Sequence, residues 1–194
     1  SETYGGSLYW NRKSGTCYGG DTIYTKSCDF TSTGLNDTAK SMMGDAKWYL
    51  GGSSTYDDVT PPMFYTRERG ITVYSGRSTN WTGKVGLMYP SDYGYATSGG
   101  SSTNRASCMA KELYSWNGSY SDCKNNDWLV NTSIIQWTMS SPGSVNSVFF
   151  CSNIGRVSCT SASSGAVVRP VVYLKSTIKV ISGSGTTSSP FILG

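Results

Sequence analysis

Residues 84–96 read KVGLMYPSDYGYA. The stretch begins as a strand, with Val85, Leu87 and Met88 apolar, and then breaks: three tyrosines, a proline, an aspartate and a glycine fall within the next seven positions. It is either a ligand wall lined with tyrosine or a piece of scaffold. Tyr89, Tyr93 and Tyr95 each join a large apolar ring to a hydroxyl that usually finds a buried partner. Gly86, Asp92 and Gly94 mark places where the chain turns, and Asp92 is suited to bond backbone amides two residues on. The scaffold reading is preferred, and the fold is built outward from it.

On either side lie two helical patterns in a background of short strands. GLNDTAKSMMGDAKWYLGG (34–52) has apolar residues at 35, 39, 42, 43, 46 and 50, which predicts a helix over 36–50 capped by Asn36 or Asp37 and closed by Gly51. Ala106, Met109, Ala110, Leu113 and Trp116 predict a second helix over 104–116, with Thr103 or Asn104 as cap and Gly118 beyond its end. SLYW, TIYTK, ITVYS, KVGLMY, SVFFC, GRVSC, VVRPVVYL, TIKVIS and PFIL read as strands separated by Gly, Ser, Asn and Pro clusters. The β-branched run VVRPVVYLKSTIKVIS (167–182) is expected to form a central, buried strand pair, with PFIL pairing beside it. Stretches 51–62 and 97–104 read as loops, and Gly183 with Gly185 as a hairpin turn. This order of elements is α+β with antiparallel sheet rather than alternating βαβ.

Length and composition narrow the function. The 194 residues suit one domain spanning 1–194. Charged residues are only 14%, and the net charge of +4 is thinly spread, so no clustered basic face for nucleic acid is expected. No apolar run is long enough to span a membrane. The start, SETYGG, lacks the pattern of a signal peptide. An exported form would therefore be a mature or trimmed ectodomain, tied to a membrane only through an absent N-terminal segment.

The cysteines favour export. Six cysteines allow 15 pairings, yet they lie in close sequential pairs: Cys17 with Cys28, Cys108 with Cys123, and Cys151 with Cys159. The sequential pairing is preferred because Cys151 and Cys159 flank SNIGRVS, a hairpin-like segment, and Cys108 lies in a helix whose exit loop returns to Cys123. Each local bond would contribute roughly 2.5–3 kcal/mol and would persist in an oxidising, extracellular setting.

The chemistry of an enzyme is hard to assemble. Without histidine there is neither a Ser-His-Asp nor a Cys-His arrangement. An all-cysteine zinc site would need unusual spacings, so no metal and no cofactor are expected. Asp57-Asp58 lies in a Gly/Ser/Thr loop and reads as turn chemistry. Asp122 with Asp127 is the pair a carbohydrate-active enzyme would use, and Asp127 in NNDW could also serve calcium or an Asx turn. N-x-[ST] sequons at Asn36, Asn80, Asn117 and Asn131 would be glycosylation acceptors in a eukaryotic secreted chain, but chance is an adequate explanation in so Asn- and Ser/Thr-rich a chain.

Several segments together carry a resemblance. They are DAKWYLGG (45–52), RERGITVYSGRSTNWTGKVGLMYPSDYGYATSGG (67–100), NNDWL (125–129), QWTMS (136–140) and GAVVRPVVYLKSTIKVISGSGTTSSPFIL (165–193). In this order they resemble the ectodomains of prepilin-like and other surface proteins of Firmicutes-type gut bacteria. Those ectodomains look like members of the C-type-lectin-like superfamily, whose G-x-R-P-x-x-x-L pattern is matched loosely by Gly165, Arg169-Pro170 and Leu174. The resemblance implies a C-type-lectin-like domain on a bacterial cell surface or pilus. Its expected partners are a host or bacterial surface protein or glycan, and neighbouring pilin subunits. Two departures qualify it. The calcium motifs of sugar-binding lectins are absent, and Cys151 and Cys159 are placed more like a hairpin staple than the reactive cysteines of formylglycine-generating enzymes.

With 84–96 assigned to framework, ligand contacts are expected in 119–164. Trp128, Trp137 and Arg156 are the candidate anchors there, with Asn125, Asn126, Gln136, Asn146 and Asn153 as polar contacts; the competing reading makes both tryptophans core and leaves the polar residues facing solvent. Aromatic residues beside small polar ones resemble the chemistry of antibody paratopes. The expected function is non-enzymatic adhesion or ligand binding. A structural fibre subunit and a carbohydrate-active enzyme are the alternatives.

Overall fold

The structure, a computed structural model, describes residues 35–70, 73, 78–144, 147–162 and 164–194, together with the backbone of 8–9, 17–18 and 25–26. The chain mixes helices with short strands that pair antiparallel, except that Gly52–Ser53 runs parallel to Ser141–Pro142. Five short α-helices are described: α1 (Asp37–Met42), α2 (Pro61–Gly70), α3 (Pro90–Tyr95), α4 (Arg105–Met109) and α5 (Ser121–Asn125). A 3-10 turn, Leu113–Asn117, lies between α4 and α5.

The largest described sheet has three strands, with Ser147–Cys151 between Val157–Ser161 and Gln136–Trp137. Side chains along a strand alternate between faces, and here both faces are buried. Phe149 and Cys151 join the larger core with Val59, Phe64, Met88, Tyr93, Leu113, Trp116 and Leu129. Val148, on the other face, joins Trp137, Ala162 and Ala166 in a smaller one. Phe64 of α2 meets Phe149 edge-on, with ring centroids 5.3 Å apart.

The opening stretch is framework. Val85–Leu87 pairs with Pro170–Val172, and α3 follows at once, started by Pro90 in its first turn. Tyr93 is fully buried and donates to the Gly155 carbonyl at 2.8 Å. The buried Tyr89 hydroxyl donates to the Tyr49 carbonyl and accepts from the Tyr49 amide. Tyr95 stays on the surface. Asp92 acts in the opposite direction from the expected one: its carboxylate reaches back to accept from the Tyr89 amide at 2.8 Å, tying the helix start. Gly86 is required by packing, because a Cβ there would lie 2.6 Å from the Trp48 ring.

Other expectations need correction. The helix expected over 36–50 ends at Met42. Asn36 caps it as read, accepting from the Ala39 amide at 2.7 Å, but Met43 pairs with Leu174 and Ala46–Tyr49 pairs with Asn80–Gly83. Strand pairing and the burial of Trp48, whose indole donates to the Gly83 carbonyl, override the helical spacing. The helix expected over 104–116 splits into α4, capped by Asn104, and the 3-10 turn closed by Gly118. Nor is 167–182 a central buried pair: Pro170–Val172 is half-buried against Val85–Leu87, whereas Val180–Ser182 is exposed and, among the described residues, pairs only with Ile192–Leu193. Gly183 and Gly185, both at positive φ, form the expected turn between those two strands.

Cys108 and Cys123 are bonded, with an S–S distance of 1.99 Å. Cys151 and Cys159 are separate thiols, contrary to the expected staple. The register explains why. Cys151 stands opposite Val157 and Cys159 opposite Phe149, so the two cysteines are diagonal neighbours. Diagonal partners sit roughly 7 Å apart, whereas a disulfide brings its Cβ atoms to about 3.8 Å. The expected Cys17–Cys28 bond lies outside the described residues.

Candidate functional site

The 119–164 segment holds buried and exposed residues side by side. Asp127 and Leu129 are almost fully buried, and the Asp127 carboxylate accepts from the Leu129 amide at 2.8 Å. The Leu129 carbonyl in turn accepts from Arg169 Nη1 at 2.9 Å and Gln136 Nε2 at 3.4 Å. Asp127 Oδ2 and Gln136 Oε1 have no hydrogen-bond partner among the described residues. Burial pushes the Asp127 carboxyl up to about 7, against the hydrogen bonds from Leu129 and Val130 and the nearby Arg169 charge, which pull it down.

Trp128 stands between these two anchored residues and is 76% exposed. Its backbone is fixed on both sides while its indole faces solvent, so it is presented in a defined place at little ordering cost. Asn125 and Asn126, just before it, are also exposed. Asn126 is tied down by donating to the Asp122 carbonyl and accepting the Ser98 amide at its own carbonyl.

The turn between the two long strands contributes a neighbouring edge. Gly155 has a φ of +83°, and a Cβ on it would collide with the Lys124 side chain, so the turn lies directly on α5. Asn153 and Ile154 are exposed at its tip. Arg156 lies 4.7 Å from the Tyr114 ring centroid, and Tyr114 meets Tyr56 edge-on. Trp128, Asn125, Asn126, Asn153 and Arg156 are therefore at least partly solvent-facing. Trp137 and Gln136 are not: each is 1% exposed, because both belong to the strand against Ser147–Cys151. They are withdrawn as ligand contacts. Asn146 lies outside the described residues.

The two carboxylates of the candidate pair sit in different settings. Asp122 Oδ2 accepts from the Ser102 amide, the Ser102 hydroxyl and the Thr103 amide, bonds that hold its carboxyl below the usual range. It organises the 100–104 loop. Asp127 is enclosed. Asp57 and Asp58 lie in an exposed turn, with Thr55 donating to Asp58, as turn chemistry requires.

A second cluster was not foreseen. On α2, Pro61, Phe64 and Glu68 form the buried stripe, and Glu68 accepts from both the amide and the hydroxyl of Ser91. Beside it, Arg69 lies 3.6 Å from the Tyr65 ring centroid, 5.2 Å from Tyr89 and 5.7 Å from Tyr49. Tyr65 meets Tyr95 edge-on at 6.2 Å, and Arg105 lies 5.9 Å from Tyr95. The signal in the sequence was YTRER (65–69), a tyrosine four residues before an arginine on what proves to be a helix. Without a helix assigned there, the pair could not be recognised.

Among models of known protein families, curated proteins and solved structures, comparison finds nothing that matches this chain.

Proposed function

We propose that this chain is a non-enzymatic extracellular binding domain of C-type-lectin-like architecture, displayed on a bacterial pilus or surface protein. Its partner is a host or bacterial surface protein or glycan. Trp128 carries the reading, since an indole 76% exposed and fixed between two buried neighbours is what an interface anchor looks like before its partner arrives. Asn125, Asn126, Asn153 and Arg156 supply the polar surround.

The test is a glycan and host-protein binding screen of the wild type beside Trp128→Ala. The variant should lose about tenfold or more in affinity for whatever the wild type binds, with an unchanged melting temperature. Undiminished binding by the variant would remove Trp128 as the anchor. A wild type that binds nothing in the screen would count against the binding reading itself.

A structural fibre subunit is the second reading, and a different feature favours it. Val180, Ile181, Phe191 and Ile192 are each more than half exposed on the C-terminal two-stranded ribbon. Apolar side chains gathered like this mark surfaces that meet another protein.

A further inference from the structure

We propose that the surface where α2 meets α3 binds an acidic saccharide, with Arg69 receiving the carboxylate and Tyr65 and Tyr95 receiving the sugar ring. The site lies outside 119–164 and does not depend on Trp128.

Arg69 is already positioned. Its Nη1 donates to Glu68 Oε2 and to the Tyr65 carbonyl, both at 3.2 Å, and three tyrosine rings surround the guanidinium. Nε and Nη2 have no acceptor among the described residues, and the side chain retains 26% of its accessibility. A planar donor edge fixed in this way matches two carboxylate oxygens with little ordering cost. Charge agrees with geometry. The cations at this surface are the half-buried Arg69 and the exposed Arg105 and Lys47, the last 5.4 Å from the Tyr49 ring centroid. The nearby carboxylates turn inward: Glu68 is fully buried against Ser91, and Asp92 accepts from the Tyr89 amide.

The aromatic surface specifies what carries the carboxylate. Tyr65 is 47% and Tyr95 38% exposed, and their rings stand 88° apart, so they form a corner with two apolar walls. The C–H faces of a pyranose fit such walls, and tyrosine hydroxyls can reach its hydroxyl groups. Arg69 lies in the last turn of α2, where the backbone carbonyls carry partial negative charge. That field tempers a phosphate dianion more than a carboxylate monoanion.

Titration calorimetry tests this with an oligogalacturonate trimer, its methyl ester and a neutral galactose trimer. The acid should bind, and the ester and neutral trimer should bind at least about tenfold more weakly. Arg69→Lys keeps the charge but loses the planar fork and should weaken binding about tenfold. Because Arg69 also touches buried Glu68, Tyr65→Ala serves as the second variant: it should weaken binding about fivefold with an unchanged melting temperature. Trp128→Ala should bind the acid like the wild type, which separates this site from the proposed partner surface. No binding at about 10 mM acid, equal binding of the ester, or wild-type affinity in both Arg69→Lys and Tyr65→Ala would overturn it.

Discussion

Glu68 is fully buried with its carboxyl on Ser91, and burial pushes that carboxyl up to about 7, against the Ser91 hydrogen bonds and the Arg69 charge. Asp127 is raised to about 7 for the same reason. A carboxyl with a folded pKa above its unfolded one holds its proton more tightly when folded. Stability is therefore greatest below the unfolded values near 4 and falls as pH rises toward 7. A shift of the size at Glu68 corresponds to about 3 kcal/mol lost across that window. The domain should melt at a higher temperature at pH 5 than at pH 8, and Glu68→Gln should flatten the slope. A melting temperature that rises between pH 5 and 8 would contradict both assignments. The two thiols that are free among the described residues give another residue-scale outcome. Cys151 is fully buried and its thiol is pushed well up, while Cys159 is partly accessible. A maleimide should label Cys159 in the folded protein and Cys151 only after denaturation; rapid native labelling of Cys151 would contradict its burial. None of this was legible in the letters. Trp128 and Trp137 are the same residue in the same segment, and only their settings, a turn for one and a strand against Ser147–Cys151 for the other, separate an exposed indole from a core one.

At the scale of elements, the sequence announced local geometry better than partnership. Asn36, Asn104 and Gly118 were recognised because capping is decided within a turn or two. Ser147–Cys151 and Val157–Ser161 were recognised because β-branched and aromatic runs meet at a tight turn. The helix over 36–50 failed because its second half is claimed by a strand more than thirty residues away, which periodicity cannot see. α2 was missed because a glutamate occupies its buried stripe, and two prolines hid its start. Cys108–Cys123 joins α4 to α5 with a sequence separation of 15. Replacing both cysteines with alanine should cost about 3 kcal/mol, read as a lower denaturant midpoint with little change in slope. A double variant as stable as the wild type would make the bond dispensable.

At the scale of the molecule, the mixed α and β composition with short antiparallel strands was legible, while the location of its centre was not. The most β-branched stretch, 167–182, suggested a core strand pair, yet its second half lies outside the core. The central strand is instead Ser147–Cys151, whose side chains serve two cores at once. Hydrophobic letters report what prefers to be buried, and the fold leaves some exposed, as surfaces of most proteins do. If the C-terminal ribbon is a subunit contact, sedimentation should show self-association that rises with concentration. Ile181→Lys with Phe191→Ser should abolish it while preserving the melting temperature. A wild type that stays monomeric at millimolar concentration would count against the fibre reading.

One pairing also constrains how the chain comes together in time. Leu8–Tyr9 lies beside Gly165–Ala166, so a strand near the beginning finds its partner only after most of the sequence is available. Gly52–Ser53 likewise waits for Ser141–Pro142, and Val85–Leu87 for Pro170–Val172. Contacts so distant along the chain close large loops before any return is gained, so these pairings form late, after their C-terminal partners exist. A ribosome cannot release this domain as finished pieces. An emerging N-terminal half therefore leaves Leu8–Tyr9, Gly52–Ser53 and Val85–Leu87 without their strand partners until most of the chain has appeared.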